Sequence, residues 1–81
     1  MSTNGNGKWI HSYWAREARV NNPTKPGWYA ARPECCNMTV RVYVDSNLLD
    51  CIVEGTDLNY DVYDFDWWYR LGHRNDNLPE F

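Results

Sequence analysis

The side chains in this chain with the most obvious chemistry are three cysteines, Cys35, Cys36 and Cys51, and two histidines, His11 and His73. Structural zinc takes ligand pairs spaced roughly two to five residues apart, so that one loop supplies two tetrahedral corners. The adjacent Cys35 and Cys36 fit that pattern poorly, and Cys51 falls in a segment that reads as a strand. A cysteine nucleophile needs a base beside it, and neither histidine shares a motif with a cysteine. Neighbouring cysteines rarely bridge each other, and three is not the even count of a secreted disulfide scaffold. The thiols therefore read as reduced, two in a loop and one in the core. The "NGNG" at 4–7 is not a phosphate loop, because no strand precedes it and no helix follows. No catalytic residue, metal or cofactor is expected.

The carboxylates are more informative. Residues 1–44 carry a net charge of +4, residues 45–66 carry −7 with no Lys or Arg, and residues 67–81 balance, for a total of −3. Asp64 and Asp66 are two apart and could serve acid–base work, although i and i+2 are neighbours in any strand. The acidic block suits a different task. Carboxylates projected from rigid strands can meet a basic protein groove, with complementary potentials speeding and orienting association. Exposed Trp side chains would anchor such an interface. The expected partner-binding residues are Asp50, Asp61, Asp64, Asp66 and Trp68. The plainer reading of the same residues is a solvated acidic edge that keeps a small sheet from pairing with others. The basic half suggests the opposite partner. Lys8, Trp9, Trp14, Arg16 and Arg19 could bind a single-stranded nucleic acid, rings stacking on bases and cations following phosphates, but the acidic block would repel phosphate.

These residues must be positioned by one small domain, since 81 residues is within the size of a single domain. Thirteen aromatic rings, 16% of the chain, supply most of its core, and more rings than so small a core can cover. A homodimer would be one way of covering the surplus. Residues 1–7 read as a disordered tail, 8–72 as the domain, and 73–81 as a loosely attached C-terminal tail. Without an apolar N-terminal run or an apolar span of membrane length, the expectation is a soluble cytoplasmic protein.

Trp9, Ile10, Tyr13, Trp14 and Ala18 fall on one stripe of a 3.6-residue period and predict a short helix over 8–20, with Ser12, Arg16 and Arg19 outside. Trp, Ile and Tyr also suit a strand, which keeps an all-β alternative open. Lys25-Pro26-Gly27-Trp28 reads as a type II turn. It leads into a strand at 28–32 and then "TVRVYVD" at 39–45, with Val40, Val42 and Val44 on one face. A turn at Asp45–Asn47, with Asn47 left-handed, leads to a strand in which Leu49, Cys51 and Val53 point inward. In "YDVYDFDWWYR" (60–70), strict alternation puts Tyr63, Phe65, Trp67 and Tyr69 in the core, and Asp64, Asp66 and Trp68 on the working surface. The fold class expected is α+β: a small antiparallel sheet of three to four strands with one N-terminal helix packed on it.

"KPGWYAARPE" (25–34), "VRVYV" (40–44) and "DFDWW" (64–68) resemble small proteins encoded by bacteriophages and prophages, over about half the chain. The resemblance implies a setting in which an accessory protein binds and blocks a host protein or a nucleic-acid-handling complex. It transfers no catalytic residue, and the Cys35-Cys36 pair lies outside its pattern.

Overall fold

A computed structural model describes residues 8–81, and the tail expected at 1–7 lies outside the described residues. Eight strands are formed: β1 (Ile10–His11), β2 (Tyr13–Ala15), β3 (Ala18–Val20), β4 (Gly27–Pro33), β5 (Val40–Val44), β6 (Asp50–Val53), β7 (Asn59–Asp61) and β8 (Phe65–Arg70). Six of them make one antiparallel sheet in the order β1-β8-β4-β5-β6-β7, while β2 and β3 form a separate hairpin. The only helical residues described are one 3-10 turn, Val62–Asp64. The fold is therefore nearly all β.

The helix expected over 8–20 is thus overturned, and with it the α+β class. Ser12, on the outside of the helical stripe, is fully buried, while Trp14, on its inside, is 54% exposed. Segment 8–20 instead uses the β preference of Trp, Ile and Tyr. Ile10 and His11 lie opposite Trp68 and Trp67. The Ser12 N–H then donates to the Asp66 carbonyl at 2.7 Å, and its hydroxyl to the Asn21 carbonyl at 2.8 Å. The chain then reverses through Arg16, whose φ is +64°, and Tyr13, Trp14 and Ala15 pair with Val20, Arg19 and Ala18.

The sheet has to curl. β7 and β8 are four strand positions apart, about 19 Å if the sheet were flat. Asp61 and Phe65, which end β7 and begin β8, are joined by four residue steps, at most about 14 Å of chain. Curling brings the rings of Tyr60 and Phe65 to 6.2 Å and lets the Val62 N–H donate to the Leu49 carbonyl at 3.0 Å. The enclosed face holds Tyr29, Ala31, Val42, Val44, Cys51, Val62, Phe65 and Trp68. The valines of β5 point inward as their alternation requires, and so do Cys51 and, partly, Val53. Leu49 does not; it is 52% exposed. At the β5–β6 turn the left-handed residue is Leu48, φ +62°, rather than Asn47. The Asn47 side chain instead accepts the Leu49 and Asp50 N–H groups.

One local irregularity determines which aromatics reach the core. Arg32 lies opposite Trp67, but Pro33 lies opposite Phe65, so Asp66 is an extra residue in β8. Pro33 has no N–H to give the ladder, and such positions are where bulges are tolerated. The bulge breaks the alternation, and Phe65 and Trp68 both turn inward, each 2% exposed.

Trp67 and Tyr69, displaced by the same bulge, line the outer face. Trp9 packs against Tyr69 at 5.4 Å, and Phe81 against Trp9 and Trp67 at 5.2 and 5.1 Å. Residues 73–81 lie against the sheet. The Trp9 indole N–H donates to the Glu80 carbonyl, and the Arg41 guanidinium to the Arg74 and Asp76 carbonyls. No helix among the described residues is long and apolar enough to cross a membrane.

Candidate functional site

Among the described carboxylates of the 45–66 block, Glu54 and Asp66 are ion-paired, Asp50, Asp61 and Asp64 cluster without a cation, and Asp45 and Asp57 stand outside both groups. Glu54 is neutralised from two sides, by Arg41 at 3.3 Å and Arg74 at 3.0 Å. Asp66 faces Arg19 at 3.9 Å. That guanidinium also donates to the Phe65 and Tyr63 carbonyls and to Asn22, and its side chain is only 4% exposed. Asp66 therefore holds the β2–β3 hairpin to the sheet and does not stand on a free face.

Asp50, Asp61 and Asp64 form the other group. Among the described residues none of the three has a Lys, Arg or His partner within 4.0 Å. β6 and β7 place Asp50 directly opposite Asp61, an arrangement that puts Cβ atoms about 4.5–5.5 Å apart and disfavours like charges. The 3-10 turn then carries Asp64 back, and its carboxylate accepts the Asp61 N–H at 3.2 Å. The Cys51 thiol is pushed up to about 12, first by burial and then by the fields of Asp64, Asp61 and Asp50. Asn47 donates to Asp50 at 3.0 Å and holds that carboxylate in place.

Beside this acidic edge the curled sheet leaves an opening of about 610 Å3. Its apolar walls are Pro33, Met38, Val40, Val53, Tyr60 and Phe65. Among the described residues, Glu34 and Asp64 are the only carboxylates that line it, and no Lys or Arg does. Cys35 completes the lining, its sulfur 2.7 Å from that of Cys36. This contact is the largest influence raising the Cys35 thiol above its ordinary range.

Of the five residues expected at a partner surface, the structure gathers Asp50, Asp61 and Asp64. Asp66 stands apart, ion-paired with Arg19. Trp68 is corrected outright. At 2% exposure it is a core ring, packed edge-on against Tyr29 and Phe65 at 5.5 and 5.4 Å. Alternation missed the cavity and Glu34, because both depend on the curl and on the loop between β4 and β5. Asp64 and Asp66, weighed as an acid–base pair, are engaged in different places.

The residues expected to meet nucleic acid are dispersed. Arg19 is buried among carbonyls and Asp66, with its guanidinium 5.9 and 5.8 Å from the ring centroids of Trp14 and Tyr63. Trp9 is packed under Phe81. Lys8, Trp14 and Arg16 remain exposed. His11 stacks between Tyr13 and Trp67 at 5.5 and 4.5 Å. Among the described residues no three His, Cys, Asp or Glu side chains are grouped to hold a metal ion. No protein family, no curated protein and no solved structure matches the chain.

Proposed function

We propose that the protein is a non-enzymatic binding protein that engages a basic surface of another protein through Asp50, Asp61 and Asp64. One observation supports this reading above the others. Three carboxylates stand together without cations, while Glu54 and Asp66 of the same acidic block are paired internally. Direct opposition of Asp50 and Asp61 costs stability, a cost that an external cation would remove. The resemblance of the sequence to small phage proteins gives the reading its setting: an accessory protein that masks the basic surface of a host protein or nucleic-acid-handling complex and inhibits it.

The experiment is a titration of a labelled tetra-arginine peptide, followed by fluorescence anisotropy, against wild type and an Asp50→Asn/Asp61→Asn variant. The expected result is salt-sensitive binding that falls at least tenfold in the variant. Equal binding by both proteins contradicts the assignment.

The β2–β3 hairpin supports a second reading, single-stranded nucleic-acid binding. It presents Tyr13 at 46% and Trp14 at 54% exposure, with Arg16 at its tip and Lys8 nearby in sequence. A labelled oligothymidine titrated in the same way tests it. Binding that weakens with salt and is lost in a Trp14→Ala/Arg16→Ala variant favours this reading over the first.

A further inference from the structure

We infer that the opening beside the acidic edge is a specificity pocket, receiving an apolar side chain that neighbours an Arg or Lys in a peptide segment of a partner protein. The inference rests on the acidic-face reading and names the chemistry of its partner. Pockets of about 300–1,000 Å3 with apolar walls and a few placed polar groups are the usual form of a binding site, and this one measures about 610 Å3. Met38, which lines it and is half exposed, is the adaptable kind of side chain that interfaces use to fit varied apolar groups. Tyr60 and Phe65 add aromatic surface to the aliphatic lining of Val40 and Val53. These surfaces fit an aliphatic or aromatic body.

Charge complementarity determines the rest of the occupant. Among the described residues the formal charges in the lining are both negative, Glu34 and Asp64, and Asp61 adjoins through its N–H bond to the Asp64 carboxylate. An anion or a nucleic-acid phosphate would meet repulsion here from Glu34 and Asp64. A neutral apolar ligand would leave the carboxylates unused. A segment with an apolar residue beside a cation satisfies both, the apolar group in the cavity and the cation at Glu34 and Asp64.

Cys35 allows a test within the site. Cys35 lines the cavity and its neighbour Cys36 does not, while Cys51 is buried and protonated. In full-length Cys36→Ser protein, N-phenylmaleimide attaches a neutral ring to Cys35; in Cys35→Ser protein the same ring is attached to Cys36. Each is titrated with tetra-arginine and with a peptide of four arginines and two interspersed leucines, with circular dichroism confirming the fold. The expected result for unlabelled protein is at least fivefold preference for the leucine-bearing peptide, kept by the Cys36 adduct and lost by the Cys35 adduct. Equal affinity for both peptides, or a preference that survives at Cys35, overturns the pocket and leaves the acidic face standing. Failure to bind either peptide overturns both.

Discussion

Asp50 and Asp61 face each other directly across the β6–β7 ladder, and no described cation pairs with either. Like charges in that position destabilise a sheet by a few tenths to about 1 kcal/mol. Asp61→Asn is therefore expected to raise unfolding stability by about that amount while weakening binding of an arginine peptide. Urea denaturation and anisotropy on the same sample check the two signs. A binding carboxylate held opposite a like charge should cost stability and contribute to binding at once.

Cys51 reports on the same field. Its thiol is raised from 9.0 to about 12 by burial and the three aspartates. Above the unfolded value the unfolded chain loses a proton that the folded chain keeps, so stability falls as pH rises from about 9 toward 12. The slope from this one group approaches about 1.4 kcal/mol per pH unit. Denaturation at pH 8, 9 and 10 should show that slope reduced in Cys51→Ala, whatever constant offset the smaller side chain adds. At pH 8, iodoacetamide should modify Cys35 and Cys36 in the native protein and reach Cys51 only after unfolding.

Arg19 joins the hairpin to the sheet. Its nearly buried guanidinium serves two carbonyls, Asn22 and Asp66. Arg19→Met leaves those acceptors without their donor and is expected to cost about 2–4 kcal/mol. Arg19→Lys should recover little, because one ammonium cannot reproduce the planar fork. Asp66→Asn, a half-exposed position that keeps a hydrogen-bonding group, should cost less than either. Urea midpoints rank the three.

Phe81 covers Trp9 and Trp67 and stacks under the Arg32 guanidinium at 4.0 Å. Being 60% exposed, it is expected to contribute modestly, and Phe81→Ala should cost about 1 kcal/mol. Red-shifted tryptophan emission would accompany the loss, since both indoles become wetter.

How much of this was legible in the sequence depended on whether a local signal governed the element. The alternating valines of β5 and the inward Cys51 were readable because one face of a sheet is buried and the period is two. The acidic block was readable as charge, but the clustering of Asp50, Asp61 and Asp64 depends on the β6–β7 pairing and the 3-10 turn that follows it. Segment 8–20 misled because Trp9, Ile10, Tyr13 and Trp14 satisfy a helical stripe and a strand composition at once. What decided between them is the Ser12 N–H bond to Asp66, a contact 54 positions away in the chain. Trp68 was misassigned because one extra residue opposite Pro33 reverses the phase of everything after it. The cavity follows from the curl, which the chain length between Asp61 and Phe65 imposes only once the strand order is known.

Whether Asp50, Asp61 and Asp64 form the binding face is tested most directly by a 1H–15N NMR titration of the full chain with tetra-arginine. Shift changes are expected to centre on the amides of Asp50, Tyr60, Asp61 and Asp64, with the β2–β3 hairpin and the Trp67–Phe81 face unmoved. Changes centred on residues 13–20, or spread evenly over all exposed carboxylates including Asp45 and Asp57, would contradict that assignment.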